Sequence, residues 1–126
     1  MSHSGIEGGK YMDFETQILV CPSDTDSYNI IHHPQYFIWV EQAILEWLDA
    51  TYHGIHNVSY EILKFQCKFL SPGLLYERLT LSLRCRGKKT ADGVLKFQVK
   101  IIKQANKQPV LDGDFFVKVR EVNDAE

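Results

Sequence analysis

Apolar and polar residues alternate with a period of two along four stretches in the second half of the chain. This alternation is typical of β-strands that bury one face. It predicts strands over residues 58–70, 77–86, 94–103 and 110–120. The same alternation occurs once before them, over residues 14–21, where Phe14, Thr16, Ile18 and Val20 share one face. The pattern therefore predicts five strands.

Between the first of these strands and the second, apolar residues recur with a helical period instead. They predict a helix over residues 34–51, with Pro34 in the first turn, where its missing N–H would have no partner anyway. The apolar stripe, widened along one edge, consists of Phe37, Ile38, Val40, Ile44, Leu45, Trp47 and Leu48. Glu41 falls within this widened stripe. We therefore expect an α+β fold, in which a curved antiparallel sheet of about five strands wraps one amphipathic helix.

The chain length and local composition predict the domain organisation. At 126 residues, one hydrophobic core is expected, in a single domain over residues 13–120. We expect residues 1–12 to form a flexible leader and residues 121–126 to form a polar tail. Gly113 predicts a bulge or a bend in the last strand. Exposed strand edges favour association of two or more copies.

Composition argues against several classes of function. The net charge is −2, so there is no basic field that would favour nucleic acid. No apolar run is long enough to span a membrane and no secretory leader is apparent, so we expect a cytoplasmic protein. Cys21, Cys67 and Cys85 lie in apolar strand-like runs and form no Cys-x-x-Cys pair. We expect them to be free, buried thiols, without a zinc site.

The candidate chemistry is concentrated in the loop that leads to the helix. Asp24 and Asp26 lie two residues apart there. Either carboxylate could act as a nucleophile or as a base for water, or could bond its own turn backbone, and the spacing does not choose between them. His33 is predicted at the N-cap, where its backbone N–H would polarise an ester or thioester carbonyl together with the helix dipole. His32 and His33 offer no third ligand by spacing, so no metal is expected.

Two further groups are candidates for ligand contact. Glu41 either reaches water at the edge of the apolar stripe or contacts the far end of a ligand, about 12 Å along the helix from His33. A predicted hairpin carries the basic residues Arg84, Arg86, Lys88 and Lys89. These are either a solvated strand end or a grip for an anionic tail such as a nucleotide 3′-phosphate.

The loop and helix start resemble a known family. The segments Val20-Cys21-Pro22-Ser23-Asp24-Thr25-Asp26 and His33-Pro34-Gln35-Tyr36, followed by Trp39 and Glu41, resemble the 4-hydroxybenzoyl-CoA thioesterase branch of the hotdog-fold acyl-CoA thioesterases. The order of elements agrees over residues 14–120. The resemblance implies a hotdog fold, hydrolysis of an acyl-CoA or acyl-carrier-protein thioester, and a homodimer or tetramer with its site at the subunit interface. It implies no metal, and coenzyme A only as part of the substrate.

The resemblance also implies roles for individual residues. Asp26 corresponds to the catalytic nucleophile or general base, and the His33 amide to the group that polarises the carbonyl. Tyr36, Glu41 and Asn29 are the expected substrate-binding positions, and Arg84, Arg86 and Lys88 the expected contacts for the coenzyme A portion. The family often has glycine at the position of Asn29, but asparagine tolerates positive φ.

Two alternatives remain open on the sequence. A non-catalytic acyl-binding or ligand-binding module is compatible with Asn29 and with the short connection after the helix. A hotdog dehydratase or hydratase is less compatible, because its Asp-x4-His pattern is missing: the fifth residue after Asp26 is Ile31.

Overall fold

The computed structural model of the chain describes residues 6–7, 10–11, 13–87 and 89–122. A two-residue ribbon, β1 (Ile6–Glu7) with β2 (Lys10–Tyr11), precedes the main sheet. The main elements are β3 (Phe14–Leu19), α1 (His33–Thr51), β4 (Val58–Phe69), β5 (Arg78–Arg86), β6 (Val94–Lys103) and β7 (Pro109–Glu121). The predicted strands and helix agree with these bounds to within two residues at each end.

The five longer strands form one antiparallel sheet in the order β3–β5–β6–β7–β4. Its inner face packs against α1 through the alternating apolar side chains that the sequence predicted. Trp47, in the second half of the helix, is fully buried and meets the Phe97 ring edge-on at 4.9 Å between centroids. The predicted α+β architecture, with one helix against five antiparallel strands, is confirmed.

The buried side of α1 is shifted from the predicted stripe. It consists of Tyr36, Val40, Ala43, Ile44, Trp47, Leu48 and Thr51. The expected widening is wrong at Ile38, which is 47% exposed, whereas Leu45 is partly buried. Glu41, on the same edge, is exposed. On that side of the helix the sheet ends at the edge strand β4 and covers the helix only in part.

Strand β4 consequently has a half-covered inner face. It pairs with β7 on one side and with no other described strand. Phe65 and Phe69 keep 49% and 39% of their surface exposed although both rings lie against Phe37 of the helix. Together with Phe37 and Ile38 of the helix they form an open apolar surface, which we call the β4 apolar face.

Gly113 does not form a bulge. The register runs through the Cys67–Gly113 pair without a shift, and the shift between β4 and β7 lies at Ile62/Lys64. A Cβ at position 113 would lie 2.6 Å from the Gln66 carbonyl oxygen and 2.7 Å from the Cys67 sulfur. Glycine is therefore needed here for the close approach of β4.

The three thiols are free but not equally buried. Cys85 is buried, Cys67 is partly buried and Cys21 is exposed. The predicted burial of Cys21 is wrong because β3 ends two residues earlier, at Leu19. Because Cys85 is buried, its removal from water raises the pKa of the thiol to about 12.

The predicted leader and tail fall largely outside the described residues. Of residues 1–12, only the β1–β2 ribbon is described, and of residues 121–126 only the first two. Within the described parts of the chain, no helix is long and apolar enough to cross a membrane.

Candidate active site

Residues 24–32 connect a short 3-10 turn to α1 and fold back on themselves as a small hairpin, the aspartate loop. The Asp26 N–H donates to the Ile30 carbonyl oxygen at 2.9 Å, and the His32 N–H donates to that of Asp24 at 3.2 Å. In this register Asp24 lies opposite the residue before the helix, and Asp26 lies two residues further from it. The hairpin thus brings Asp24 next to the helix start and leaves Asp26 two residue positions away from it.

A second loop, residues 70–77 between β4 and β5, holds the aspartate loop in place; we call it the clamp loop. The Ile31 N–H donates to the Gly73 carbonyl oxygen at 2.9 Å, and the Leu75 N–H donates to that of Asn29 at 3.0 Å. Asn29 has a φ of 61°, a left-handed conformation that asparagine tolerates better than most residues. The tight turn therefore forms with asparagine, and contact of Asn29 with a substrate stays a prediction.

The two aspartates bond to different parts of the backbone. Asp26 Oδ1 accepts hydrogen bonds from the N–H groups of Tyr28 (2.8 Å) and Ile30 (3.2 Å), while its Oδ2 accepts none from the described residues. Asp24 Oδ2 accepts a 2.8 Å hydrogen bond from the Cys21 N–H. Both side chains thus shape their own turns, and the Asp26 carboxylate is the more exposed of the two.

Helix α1 begins one residue earlier than predicted. His32, with φ −79° and ψ 144°, is the N-cap, and His33 is the first helical residue. The predicted N-cap position of His33 is therefore wrong by one residue, since Pro34 occupies the second helical position, where a missing N–H is equally harmless. The His33 N–H donates no hydrogen bond within the described residues. It lies at the positive end of the dipole of a 19-residue helix.

Aromatic side chains pack together at the start of α1. The His33 imidazole stacks on Phe69, with ring centroids 3.9 Å apart and planes 5° apart. One turn along the helix, Phe37 packs on Phe65 at 4.7 Å, and Phe65 in turn stacks on Phe115 at 5.3 Å. Phe37, Phe65 and Phe69 of this cluster belong to the β4 apolar face. The helix start therefore opens onto a surface of half-exposed rings.

Tyr36, a predicted substrate contact, lies in the core with 2% of its surface exposed. Its hydroxyl accepts a 3.2 Å hydrogen bond from the Gly73 N–H, and burial raises the pKa of this phenol. A Cβ at position 73 would lie 2.4 Å from Ile31 Cδ1 and 3.1 Å from the Tyr36 hydroxyl. These contacts tie the clamp loop to α1, and contact of Tyr36 with a substrate stays a prediction.

Glu41 lies on the exposed edge of α1, not within its buried stripe. Its Oε2 accepts a 2.6 Å hydrogen bond from the Tyr60 hydroxyl of β4. Burial, and then this bond to a carboxylate, raise the pKa of Tyr60 to about 12. The Glu41 carboxylate thus has a hydrogen-bond partner within the chain, and contact of Glu41 with a ligand stays a prediction.

Of the predicted coenzyme A contacts, Arg84 and Arg86 lie in the last part of β5, which leads into the basic hairpin, and this hairpin lies at the far end of α1 from the aspartate loop. In the same hairpin, Lys89 Nζ is 5.7 Å from the ring centroid of Tyr52, the C-cap residue of α1. A helix of this length spans about 28 Å, so one chain presents the hairpin and the His33 N–H at opposite ends. Arg84 forms a 3.1 Å ion pair with Asp13. The residues predicted to make these contacts are Arg84, Arg86 and Lys88, of which Lys88 lies outside the described residues.

Three side chains near the site were not predicted: Tyr60, Glu77 and Lys103. Lys103 Nζ lies 3.2 Å from Glu77 Oε1, and 7% of Lys103 is exposed. The sequence could have predicted the burial of Lys103, because Lys103 continues the alternation of buried residues in β6 after Ile101. Tyr60 carries no such signal, since its partner lies on another element.

Comparison with known proteins supplies the name of the fold. No family model matches the chain, and no curated protein matches it. Among solved structures, the 1,4-dihydroxy-2-naphthoyl-CoA thioesterase from Synechocystis is 14% identical, with a TM-score of 0.74 over 89% of this chain and 85% of that chain. A hypothetical thioesterase from Streptococcus pneumoniae with coenzyme A is 17% identical, with a TM-score of 0.74 over 86% and 82%. A gentisyl-coenzyme A thioesterase is 19% identical, with a TM-score of 0.73 over 86% and 89%.

At these identities the likeness concerns the fold. The chain has the hotdog fold, as the resemblance implied, and it shares this fold with solved structures described as acyl-CoA thioesterases.

Proposed function

We propose that this protein hydrolyses the thioester of an acyl-CoA or of an acyl carrier protein, with Asp26 and the His33 amide as its catalytic groups. The observation that carries the proposal is the unpaired N–H of His33, at the N-terminus of the longest helix and directly after a loop with an exposed carboxylate. A donor aimed at a developing oxyanion accounts for about 3–4 kcal/mol of transition-state stabilisation.

The proposed reaction begins when the thioester oxygen accepts a hydrogen bond from the His33 N–H. As a nucleophile, Asp26 attacks the carbonyl carbon and the C–S bond breaks, which releases a thiolate. Water then hydrolyses the resulting anhydride, which regenerates the Asp26 carboxylate and supplies the proton that the thiolate takes up. As a base, Asp26 instead takes a proton from water while that water attacks the same carbon, and it gives this proton to the leaving thiolate as the C–S bond breaks. Both routes yield a carboxylic acid and a free thiol.

The proposed site lies between two copies of the chain. The β4 apolar face exposes Phe65 and Phe69 next to a strand edge with unpaired backbone groups, and sheets commonly close such an edge by pairing it with a second copy. A dimer through β4 would cover this face. It would also allow the basic hairpin of one copy to contact the coenzyme A portion of a substrate bound at the helix start of the other copy. Within one chain this contact is not possible, because the hairpin and the helix start lie at opposite ends of α1. Pairing of such dimers into tetramers belongs to the same proposal.

A second candidate is a binding module that holds an acyl thioester without cleaving it. The turn-forming bonds of Asp26 favour this candidate, because they give the carboxylate a structural role that needs no chemistry.

The two candidates are separated by an assay of thiol release and ligand binding with aromatic, short-chain and long-chain acyl-CoAs. Hydrolysis of at least one class supports the proposal. Binding without release in every class supports the module, and absence of both overturns both. Because Cys21 is exposed, the protein's own thiol signal is subtracted by means of a Cys21→Ser variant.

A further inference from the structure

Lys103 and Glu77 form an ion pair in which the lysine is buried and the glutamate is partly buried. The Nζ–Oε1 distance is 3.2 Å, and the two side chains are 9% and 29% exposed. Lys103 is the last residue of β6 and continues the buried alternation of Leu95, Phe97, Val99 and Ile101 in that strand. Removing a charge from water at such a position is costly, and an apolar residue of similar volume is often at least as stable. A role beyond stability would account for the charged pair.

Glu77 connects this pair to the clamp loop. The same oxygen that contacts Lys103 also accepts a 2.8 Å hydrogen bond from the Leu74 N–H. One residue earlier, the Gly73 N–H donates to the Tyr36 hydroxyl. Two consecutive backbone N–H groups of the clamp loop are therefore held by buried or partly buried side chains, one from the helix and one backed by the sheet.

The clamp loop in turn fixes the aspartate loop. Leu74 forms an isolated antiparallel bridge with Ile30, whose N–H donates to Asp26 Oδ1. On either side of this bridge, the Ile31 N–H donates to Gly73 and the Leu75 N–H donates to Asn29. A continuous series of contacts thus leads from the Lys103 ammonium, through Glu77 and Leu74, to the backbone that orients the Asp26 carboxylate.

We propose that the Lys103–Glu77 pair is a positioning device, which fixes the clamp loop and thereby the aspartate loop and the helix start. The inference rests on the proposed function for its catalytic consequence, but its structural part is independent of it. Neither residue touches the reacting atoms.

Three variants separate positioning from simple stability. Lys103→Met removes the cation and leaves Glu77 unpaired. Glu77→Gln keeps an acceptor for the Leu74 N–H but removes the anion. The double variant removes both charges and keeps that acceptor. It should therefore restore stability, but the side chain of residue 77 no longer has the ion pair with residue 103 that holds it in place. Leu95→Ala is the matched control, since Leu95 is fully buried at the opposite end of the same strand.

The readouts are the thermal midpoint, amide hydrogen exchange at Ile30, Ile31 and Leu75, and kcat and KM on the acyl-CoA that the wild type cleaves. We expect Lys103→Met to lower kcat about 10²-fold, as small misplacements of catalytic groups do, with little change in KM and with faster exchange at all three amides. The double variant should regain the thermal midpoint but keep the low kcat. Leu95→Ala should lower the midpoint alone.

A kcat that follows the thermal midpoint across all four variants would overturn the inference, as would unchanged exchange at Ile31 in Lys103→Met. If the wild type cleaves no thioester but Lys103→Met still loosens these amides, the proposed function fails and the positioning role stands.

Discussion

The phenol of Tyr60, near the start of the edge strand β4, donates a 2.6 Å hydrogen bond to Oε2 of Glu41 in the middle of α1. This bond joins the helix to the edge strand β4, whose inner face is only half covered. It also accounts for a carboxylate on the margin of an apolar helix surface, since the charge is paired there and open to water.

Replacing Tyr60 with phenylalanine should therefore destabilise the protein by about 1 kcal/mol, the usual worth of one such hydrogen bond. Urea unfolding of the Tyr60→Phe variant measures this loss. Glu41→Gln keeps an acceptor for the phenol and serves as the control, with a smaller loss expected. Equal stability of Tyr60→Phe and wild type would show that the bond contributes nothing.

Stability should fall as the pH rises above about 9. Burial raises the pKa of Cys85 from 9.0 to about 12, and burial with the Glu41 bond raises that of Tyr60 from 10.0 to about 12. Because the folded-state pKa values lie above the unfolded ones, their contribution is complete below pH 9 and is lost between pH 9 and 12. Urea midpoints at pH 8, 9, 10 and 11 measure the decline. Cys85→Val should flatten it, and a midpoint constant over that range would contradict the prediction.

The sequence predicted the fold well because the evidence for it is local. The period-two alternation in β5 and β6 and the helical period from Val40 to Leu48 depend on neighbouring residues only. What was missed depends on contacts between distant segments. The clamp loop meets the aspartate loop through Gly73 and Ile31, about forty residues apart, and no periodicity records that contact. Likewise, the sequence left two roles open for Glu41, because it does not show that β4 is the edge strand and that Tyr60 of this strand reaches the carboxylate.

The candidate site was predicted less completely than the fold. The resemblance pointed to Asp26 and His33, and the structure finds them in adjacent segments with an unpaired N–H at the helix start. It also finds Asp26 bonded to its own turn, an alternative that the spacing of the two aspartates had left open.

Asp26→Asn should abolish turnover and leave the fold intact. Asparagine keeps the Oδ1 acceptor for the Tyr28 and Ile30 amides but lacks the charge needed for attack or proton transfer, so kcat should fall about 10²–10⁴-fold. Steady-state thiol release, with circular dichroism for the fold, measures both parts. Asp24→Asn is the matched control and should be milder. A larger loss at Asp24 would move the catalytic role to that residue, which lies nearer the helix start in the hairpin register.

Phe65→Glu should separate the proposed dimer. The substitution places a charge in the β4 apolar face, where a second copy would have to bury it. Light scattering after gel filtration should show about half the wild-type mass. Phe116→Glu is the matched control, because Phe116 lies on the outer face of the sheet with Lys64 Nζ 4.7 Å and Lys96 Nζ 5.8 Å from its ring centroid. Equal masses for the wild type and Phe65→Glu would count against an interface at β4.

The proposed oxyanion donor is a backbone group, and the position of His33 allows it to be deleted cleanly. Proline is favoured at the first helical position, and the extended conformation of His32 is the one that a residue before proline adopts. His33→Pro should therefore fold normally and lose only the N–H and the imidazole, lowering kcat about 10²–10³-fold. His33→Ala removes the imidazole and its stack on Phe69 but keeps the N–H, so its loss of kcat should be far smaller. The ratio of the two kcat values isolates the amide, and a ratio near one would exclude the His33 N–H as the polarising group.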